Sequence, residues 1–182
     1  MKKSIILTAL IIGISLSSCK TTIPVNDSIT PTLTVMISGD GLNYSDLTLN
    51  GPDFDTKAFR LKRDVTYNIL FSGKDSGGVK EVTFNTPLAN IMEFPDGIPS
   101  NWTETTTGIG IPTSREFKTN GDPSNPVSSL IFGSSFIFRI EANDVTTENR
   151  TLSFQVIDFH DNTLNKTLLL EIGPGPTEII PR

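Results

Sequence analysis

The sequence predicts an all-β chain: an antiparallel two-sheet sandwich of seven to eight strands with a long loop insertion. Three observations carry this. Apolar and polar residues alternate with period two in segment after segment, as strands with one buried and one wetted face require. Eleven Phe supply the bulky side chains that suit a pleated, half-buried surface, and fourteen Gly with twelve Pro supply turns. No window sustains the 3.6-residue apolar period of a long helix.

In chain order, the first strand has Leu33, Val35 and Ile37 alternating with Thr34, Met36 and Ser38. A shorter strand covers Leu47 to Leu49, and Phe59 and Leu61 flank Arg60 in a third. Tyr67, Ile69 and Phe71 define the 66–72 strand, and Val82 and Phe84 the 79–85 strand. Val127 to Phe132 reads as a short edge strand, followed by Phe136, Phe138, Ile140 and Ala142. Leu152, Phe154 and Val156, then Leu168, Leu170 and Ile172, close the series. Each burial of a large apolar side chain contributes roughly 1.5–3 kcal/mol, so the inward set can stabilise the domain without a disulfide.

Two turns are well marked. Asp75-Ser76-Gly77-Gly78 is expected to join the 66–72 and 79–85 strands as a hairpin, and Asp158 to Asn165 to join the 150–157 and 166–172 strands. The stretch from Tyr67 to Phe84, an alternating strand, the turn Lys74-Asp75-Ser76-Gly77-Gly78-Val79 and a second strand, resembles the B–C hairpin of bacterial immunoglobulin-like domains. Phe154 to Asp158 followed by Asn165 to Leu170 resembles their closing F–G hairpin. The resemblance implies an immunoglobulin-like sandwich over residues 32–173 and brings no catalytic residues. It departs from antibody-type domains, because no Cys pair exists and Trp102 lies outside the expected strands.

Thr86 to Val127 breaks the alternation and holds six of the twelve prolines and the only Trp. A connection this long is functional or loosely held. Phe94, Trp102 and Phe117, with Tyr44, are candidates for stacking on a sugar ring or anchoring a protein partner. The competing reading has Trp102 capping one end of the sandwich as a packing residue. Asp40, Asp75, Asp144, Asp158 and Asp161 are calcium candidates, since all fall in expected loops and calcium takes six to eight oxygens. The same residues are what tight turns demand, and no Asp-x-Asp-x-Asp-Gly loop is present. His160 is the only histidine and no Gly-x-Ser-x-Gly elbow exists, so it reads as a turn residue and no catalytic residues are assigned. Gly39-Asp40-Gly41 and Gly108-Ile109-Gly110 lack the lysine and the helix of a phosphate cradle.

The N-terminus carries Lys2 and Lys3, an apolar run from Ile5 to Leu16, and Leu16-Ser17-Ser18-Cys19. The run is shorter than the ~20 residues a spanning helix needs. It resembles a bacterial lipoprotein signal with its lipobox, which implies lipidation of Cys19 and cleavage after Ser18. Residues 1–18 are then a signal peptide, 19–31 a lipidated tether and 174–182 a frayed tail. Losing Lys2 and Lys3 leaves thirteen basic residues against twenty acidic ones, a formal charge of −7, which disfavours nucleic acid. Lipidation of the only cysteine excludes disulfides and thiol chemistry. Asp27-Ser28-Ile29 resembles a Bacteroidetes O-glycosylation site, an unmodified linker being the alternative, and the Ser-Ser-Cys-Lys junction fits the same source. The expectation is therefore a lipoprotein of the cell envelope, anchored at the outer membrane on the periplasmic or the surface face. It acts as a non-catalytic binding module for a protein or glycan and needs no cofactor beyond a possible calcium ion. The alternatives are a structural accessory subunit of an outer-membrane complex, which predicts contact through a strand edge or apolar patch, and a hydrolase, which predicts a cleft of converging acids or His160.

Overall fold

The computed structural model describes residues 21–87, 92–108, 114–138 and 147–182. The expected signal peptide, Cys19, Asp144 and the expected strand beyond Phe138 lie outside them. The described residues form an all-β sandwich of two sheets. The strands are β1 (Thr32–Ser38), β2 (Thr48–Asn50), β3 (Lys57–Lys62), β4 (Thr66–Lys74), β5 (Val79–Pro87) and β6 (Met92–Glu93). They continue with β7 (Thr103–Thr107), β8 (Ser114–Asn120), β9 (Ser129–Phe138), β10 (Glu148–Asp158), β11 (Thr163–Gly173) and β12 (Glu178–Pro181). A single 3-10 turn, Gly51–Asp55, follows β2. No helix among the described residues is long and apolar enough to cross a membrane.

The five-stranded sheet runs β2-β1-β4-β9-β6 and the seven-stranded sheet β12-β3-β11-β10-β5-β8-β7. Alternation is read out directly in burial: Leu33, Val35, Ile37, Ile69, Phe71, Val82, Phe84, Phe154, Val156, Leu168 and Leu170 all point into the core. Between the layers, the Phe71 ring lies 5.2 Å from Phe84 and 5.1 Å from Phe154, and within its own sheet it stacks on Phe132 at 4.9 Å. Phe71 is thus the centre of an aromatic cluster that ties both sheets together. Aromatic pairs at such distances add roughly 0.5–1.5 kcal/mol beyond area burial.

Five expectations are corrected. The Asp75–Gly78 turn does not close a hairpin: β4 lies in one sheet and β5 in the other, so the turn is an arch over the end of the sandwich. The reason lies in long-range packing: Phe71 of β4 meets Phe84 of β5 across the core at 5.2 Å, so the strands lie in opposite layers and do not pair edge to edge. The second turn does close a hairpin, with Ile157 opposite Thr163, and is shorter than expected. Pairing is not wholly antiparallel, because β3 runs parallel to β11, with Phe59 opposite Leu170. The stretches around Val127–Phe132 and Phe136 are one ten-residue strand, β9, lying between β4 and β6. The tail is not frayed: Glu178–Pro181 forms β12 on β3, and the Arg182 amide donates to Thr56 O at 2.9 Å. Behind that strand Tyr67 is fully buried, its hydroxyl 2.7 Å from Thr177 Oγ1 and accepting from the Lys62 amide at 2.9 Å.

The fifth correction concerns Thr86 to Val127, which is mostly structured. β6, β7 and β8 fall within it, and β8 pairs with β5 in full register, Phe84 opposite Phe117. These strands hid from pattern reading because they carry little apolar surface. β7 reads Thr-Glu-Thr-Thr-Thr, β6 has two residues, and Phe117 is the one large apolar side chain of β8.

Candidate functional site

The aromatics expected to form a contact loop are drawn inward. Phe117 is fully buried and Trp102 is 4% exposed. The indole stands edge-on to Phe71 at 5.5 Å and Phe132 at 5.1 Å, and its N–H donates to Ile131 O at 3.0 Å. Phe94 is half-buried, packed 5.2 Å from Phe117 and covered by the Arg115 guanidinium at 5.2 Å. Trp102 and Phe117 are packing residues: both rings are buried, Trp102 against Phe71 and Phe132 and Phe117 against Phe84 at 5.4 Å. Of the four aromatics singled out, Tyr44 borders an open groove.

That groove, about 440 Å³, lies against the outer face of the five-stranded sheet. Its wall is Tyr44 on one side and residues 96–99 on the other, with Asn68, Gly133, Ser134 and Ser135 as floor. The period-two rule puts Asn68 outward between Tyr67 and Ile69, both buried. The 96–99 wall is pinned to the sheet: Ser134 Oγ donates to Gly97 O at 2.6 Å and Ser135 Oγ to Asp96 Oδ2 at 2.5 Å. A Cβ added at Gly133 would meet nothing within 4 Å, so the floor is open there. A second groove, about 500 Å³, lies on the outer face of the seven-stranded sheet, with Thr83, Asn85, Gln155 and Asn165 among its lining residues. Its bordering lysines are already engaged, Lys118 with Glu81 at 2.6 Å and Lys166 with Asp55 at 2.8 Å.

The calcium candidates are dispersed. Asp75 and Asp158 do meet, at the end of the sandwich where the arch and the β10–β11 turn lie side by side. They are joined by Asp27 of the N-terminal segment, with one oxygen of each within 4.8 Å of the others. Asp158 is 1% exposed and spends both oxygens on the turn: Oδ1 accepts from the His160 and Asn162 amides, and Oδ2 from Asn162 Nδ2 at 2.7 Å. Asp75 Oδ1 accepts from the Gly77 amide at 2.7 Å. Burial pushes the Asp75 carboxyl above the usual carboxylate range, the Gly77 amide opposes this, and the charges of Asp27 and Asp158 add to the rise. These three oxygens are donors of the class calcium takes, and they fall short of the six to eight that calcium uses. Asp161 pairs instead with Lys80 at 2.5 Å. Asp40 lies at the opposite end, beyond Ser38, and accepts from Thr177 Oγ1 at 2.8 Å. His160 sits in the β10–β11 turn, half-buried, and enters the structure through its backbone amide.

Asp27 was missed as a partner of this cluster because it lies in the stretch expected to be a free tether. The segment is laid against the domain. Asn162 Nδ2 donates to Asp27 O at 3.0 Å, and a Cβ at Gly77 would stand 2.7 Å from both Pro24 Cδ and Asp27 Oδ2. The signal that could have found it is the Asp27-Ser28-Ile29 sequence itself, an Asx turn in which the Ile29 amide donates to Asp27 Oδ1 at 2.8 Å.

No family model and no curated protein matches the chain. Among solved structures, it is similar to a cohesin module from a Clostridium perfringens family 33 glycoside hydrolase, at 10% identity over 64% of this chain and 95% of that one, with a TM-score of 0.39. It is similar to a non-cellulosomal cohesin from Archaeoglobus fulgidus, at 12% identity over 64% and 90% and a TM-score of 0.36. It is also similar to the collagen-binding subdomain of the Enterococcus faecalis surface protein ACE, at 7% identity over 64% and 94% and a TM-score of 0.37.

Proposed function

We propose that this chain is a lipid-anchored, non-catalytic binding module of a bacterial cell envelope, held at a membrane through Cys19. Its contact surface is the groove between Tyr44 and residues 96–99. The observation that supports this reading is the groove's make-up. One aromatic ring stands beside an amide, two hydroxyls and the Asp96 carboxylate on a rigid sheet face, which suits hydrogen-bonded recognition of a glycan or of a polar protein loop. Where acids do converge, at Asp27, Asp75 and Asp158, the Asp75 and Asp158 carboxylates accept from the amides of their own turns, and Asp161 is paired with Lys80, an arrangement that holds loops.

The test uses the Gly133 floor. Gly133→Tyr places a side chain into open groove space, and Tyr44→Ala removes the ring. Both variants, with Asn85→Ala on the other sheet as control, are screened against arrays of envelope and host glycans and by cross-linking in cells. A fall in binding of tenfold or more for the first two and not for the third supports the groove. Unchanged binding in both groove variants overturns it. Incorporation of labelled palmitate, abolished by Cys19→Ala, tests the anchor separately.

A further inference from the structure

Residues 21–31 are seated on one end of the sandwich, where the Asp75–Gly78 arch, the 122–125 turn and the β10–β11 turn come together. Asn162 Nδ2 donates to Asp27 O at 3.0 Å. Gly77 is buried under the segment, and a Cβ there would stand 2.7 Å from Pro24 Cδ. Thr21, Thr22 and Ile23 line a hollow with residues 123–126, and Pro31 is buried. A free chain over residues 20–31 could reach about 40 Å from a lipid at Cys19. Seated in this way, the segment leaves residues 19 and 20 between that lipid and the domain, about 7 Å of chain at full stretch. Apolar exposure gathers at the same end. Among the described residues, the exposed large apolar side chains are Val25, Ile29, Val127 and Ile131. Val25 and Ile29 are carried by the seated segment, and Val127 O accepts from the Val79 amide beside the arch. Ile131 lies on the outer face of β9, next to the buried Phe132.

We propose that this end is the membrane face of the protein, with Val25, Ile29 and Val127 resting at the headgroup–acyl boundary of the bilayer that holds the Cys19 lipid. The inference rests on the lipid anchor proposed above and goes beyond it, because an anchor on a loose tether leaves the domain's orientation open. A leash of two residues does not: the lipid and this end of the sandwich lie side by side. Small exposed apolar groups beside an acyl anchor then add contact with the same bilayer. The exposed charges of this end are mixed in sign, Lys74 and Lys80 with Asp122 and Asp161, so the contact does not depend on an anionic lipid. Orientation also places the groove. Asn68 on its floor is six residues from Lys74 along β4, up to about 20 Å from this end at the rise of a strand. The groove is thereby held clear of the headgroups and open to a partner.

The experiment uses the full chain, expressed in a bacterium that lipidates it and reconstituted into phosphatidylcholine vesicles. With the Cys19 sulfur acylated, an engineered cysteine is the only free thiol. A fluorophore is attached at Val127→Cys, or at Thr66→Cys, an exposed position at the opposite end of β4. Spin-labelled lipid should quench the label at 127 at least threefold more than the label at 66, and aqueous iodide should show the reverse order. Gly77→Val drives a side chain into Pro24 and Asp27 and lifts the segment, so the two labels should then be quenched equally while far-UV circular dichroism is kept. Equal lipid quenching at 127 and 66 in the parent overturns the orientation. A difference that survives Gly77→Val overturns the role of the seated segment. Shielding of the 127 label from iodide without quenching by lipid overturns the choice of a bilayer as the occupant. Failure of the chain to take up palmitate and to float with the vesicles refutes the anchor itself, and the inference with it.

Discussion

Replacing Trp102 by Ala decides between packing and contact for the residue that sequence reading placed in a contact loop. The indole is 4% exposed, set edge-on against the stacked Phe71–Phe132 pair at 5.5 and 5.1 Å, and its N–H donates to Ile131 O at 3.0 Å. Removing a large aromatic from a packed core costs about 3–5 kcal/mol through lost transfer energy and the cavity left behind. At about 2–4 °C per kcal/mol for a chain of this size, Tm should fall by roughly 6–20 °C. Trp102→Phe keeps most of the ring and loses the N–H, and should cost about 1–3 kcal/mol. The assay is urea unfolding followed by far-UV circular dichroism, since the variants lack the fluorophore. In the unsubstituted protein, this single Trp should emit at short wavelength and shift to the red on unfolding. A loss under 1 kcal/mol for Trp102→Ala, with binding of a groove ligand abolished, would refute the packing argument.

Three further outcomes are expected. Asp75 has a raised carboxyl pKa in the fold, so the native state holds its proton more tightly than the unfolded chain does, and stability falls as pH rises from the ordinary carboxylate range through the raised value. Asp75→Asn, which keeps an oxygen for the Gly77 amide, should therefore be at least as stable as the parent at pH 7, with the difference in Tm shrinking as pH falls toward 4. A variant less stable at pH 7 contradicts the assignment. Tyr67→Phe removes the hydroxyl that bridges Thr177 and Lys62, and should cost about 1–3 kcal/mol in thermal or urea unfolding. Gly121→Ala would set a Cβ 2.1 Å from Val79 O, so the β5 start or the 121 turn must move, and chemical denaturation should show a loss of about 1–3 kcal/mol.

Residue by residue, the strands that bury large side chains were legible in the sequence. Leu33-Val35-Ile37, Tyr67-Ile69-Phe71 and Leu152-Phe154-Val156 announce a buried face because strand geometry sends alternate side chains to opposite sides. The sandwich class and the β10–β11 hairpin followed from that pattern and from Asp-rich turns. The pattern names a face and never a neighbour. Whether Asp75–Gly78 closed a hairpin or arched between layers depended on which sheet each strand joined, and that is set by long-range packing of Phe71 against Phe84 and Phe154. The parallel β3–β11 pair and the β12 edge were equally invisible, because the partners lie more than a hundred residues apart in the chain.

The site divided along the same line. Asp75 and Asp158 were readable as turn residues, and their meeting with Asp27 was not, since it needs the N-terminal segment folded back against the arch. Trp102 and Phe117 gave no local sign of burial, because Trp102 lies just before β7 and Phe117 is the one large apolar residue of β8; their packing against Phe71, Phe84 and Phe132 is a long-range contact. The sequence by itself determined which side of each apolar strand is wet, and therefore that two such faces must close on each other. Tertiary structure alone decided which strands became edges and which aromatics stayed outside, and so where a groove stands open on the outer face, because both depend on contacts between residues far apart in the chain.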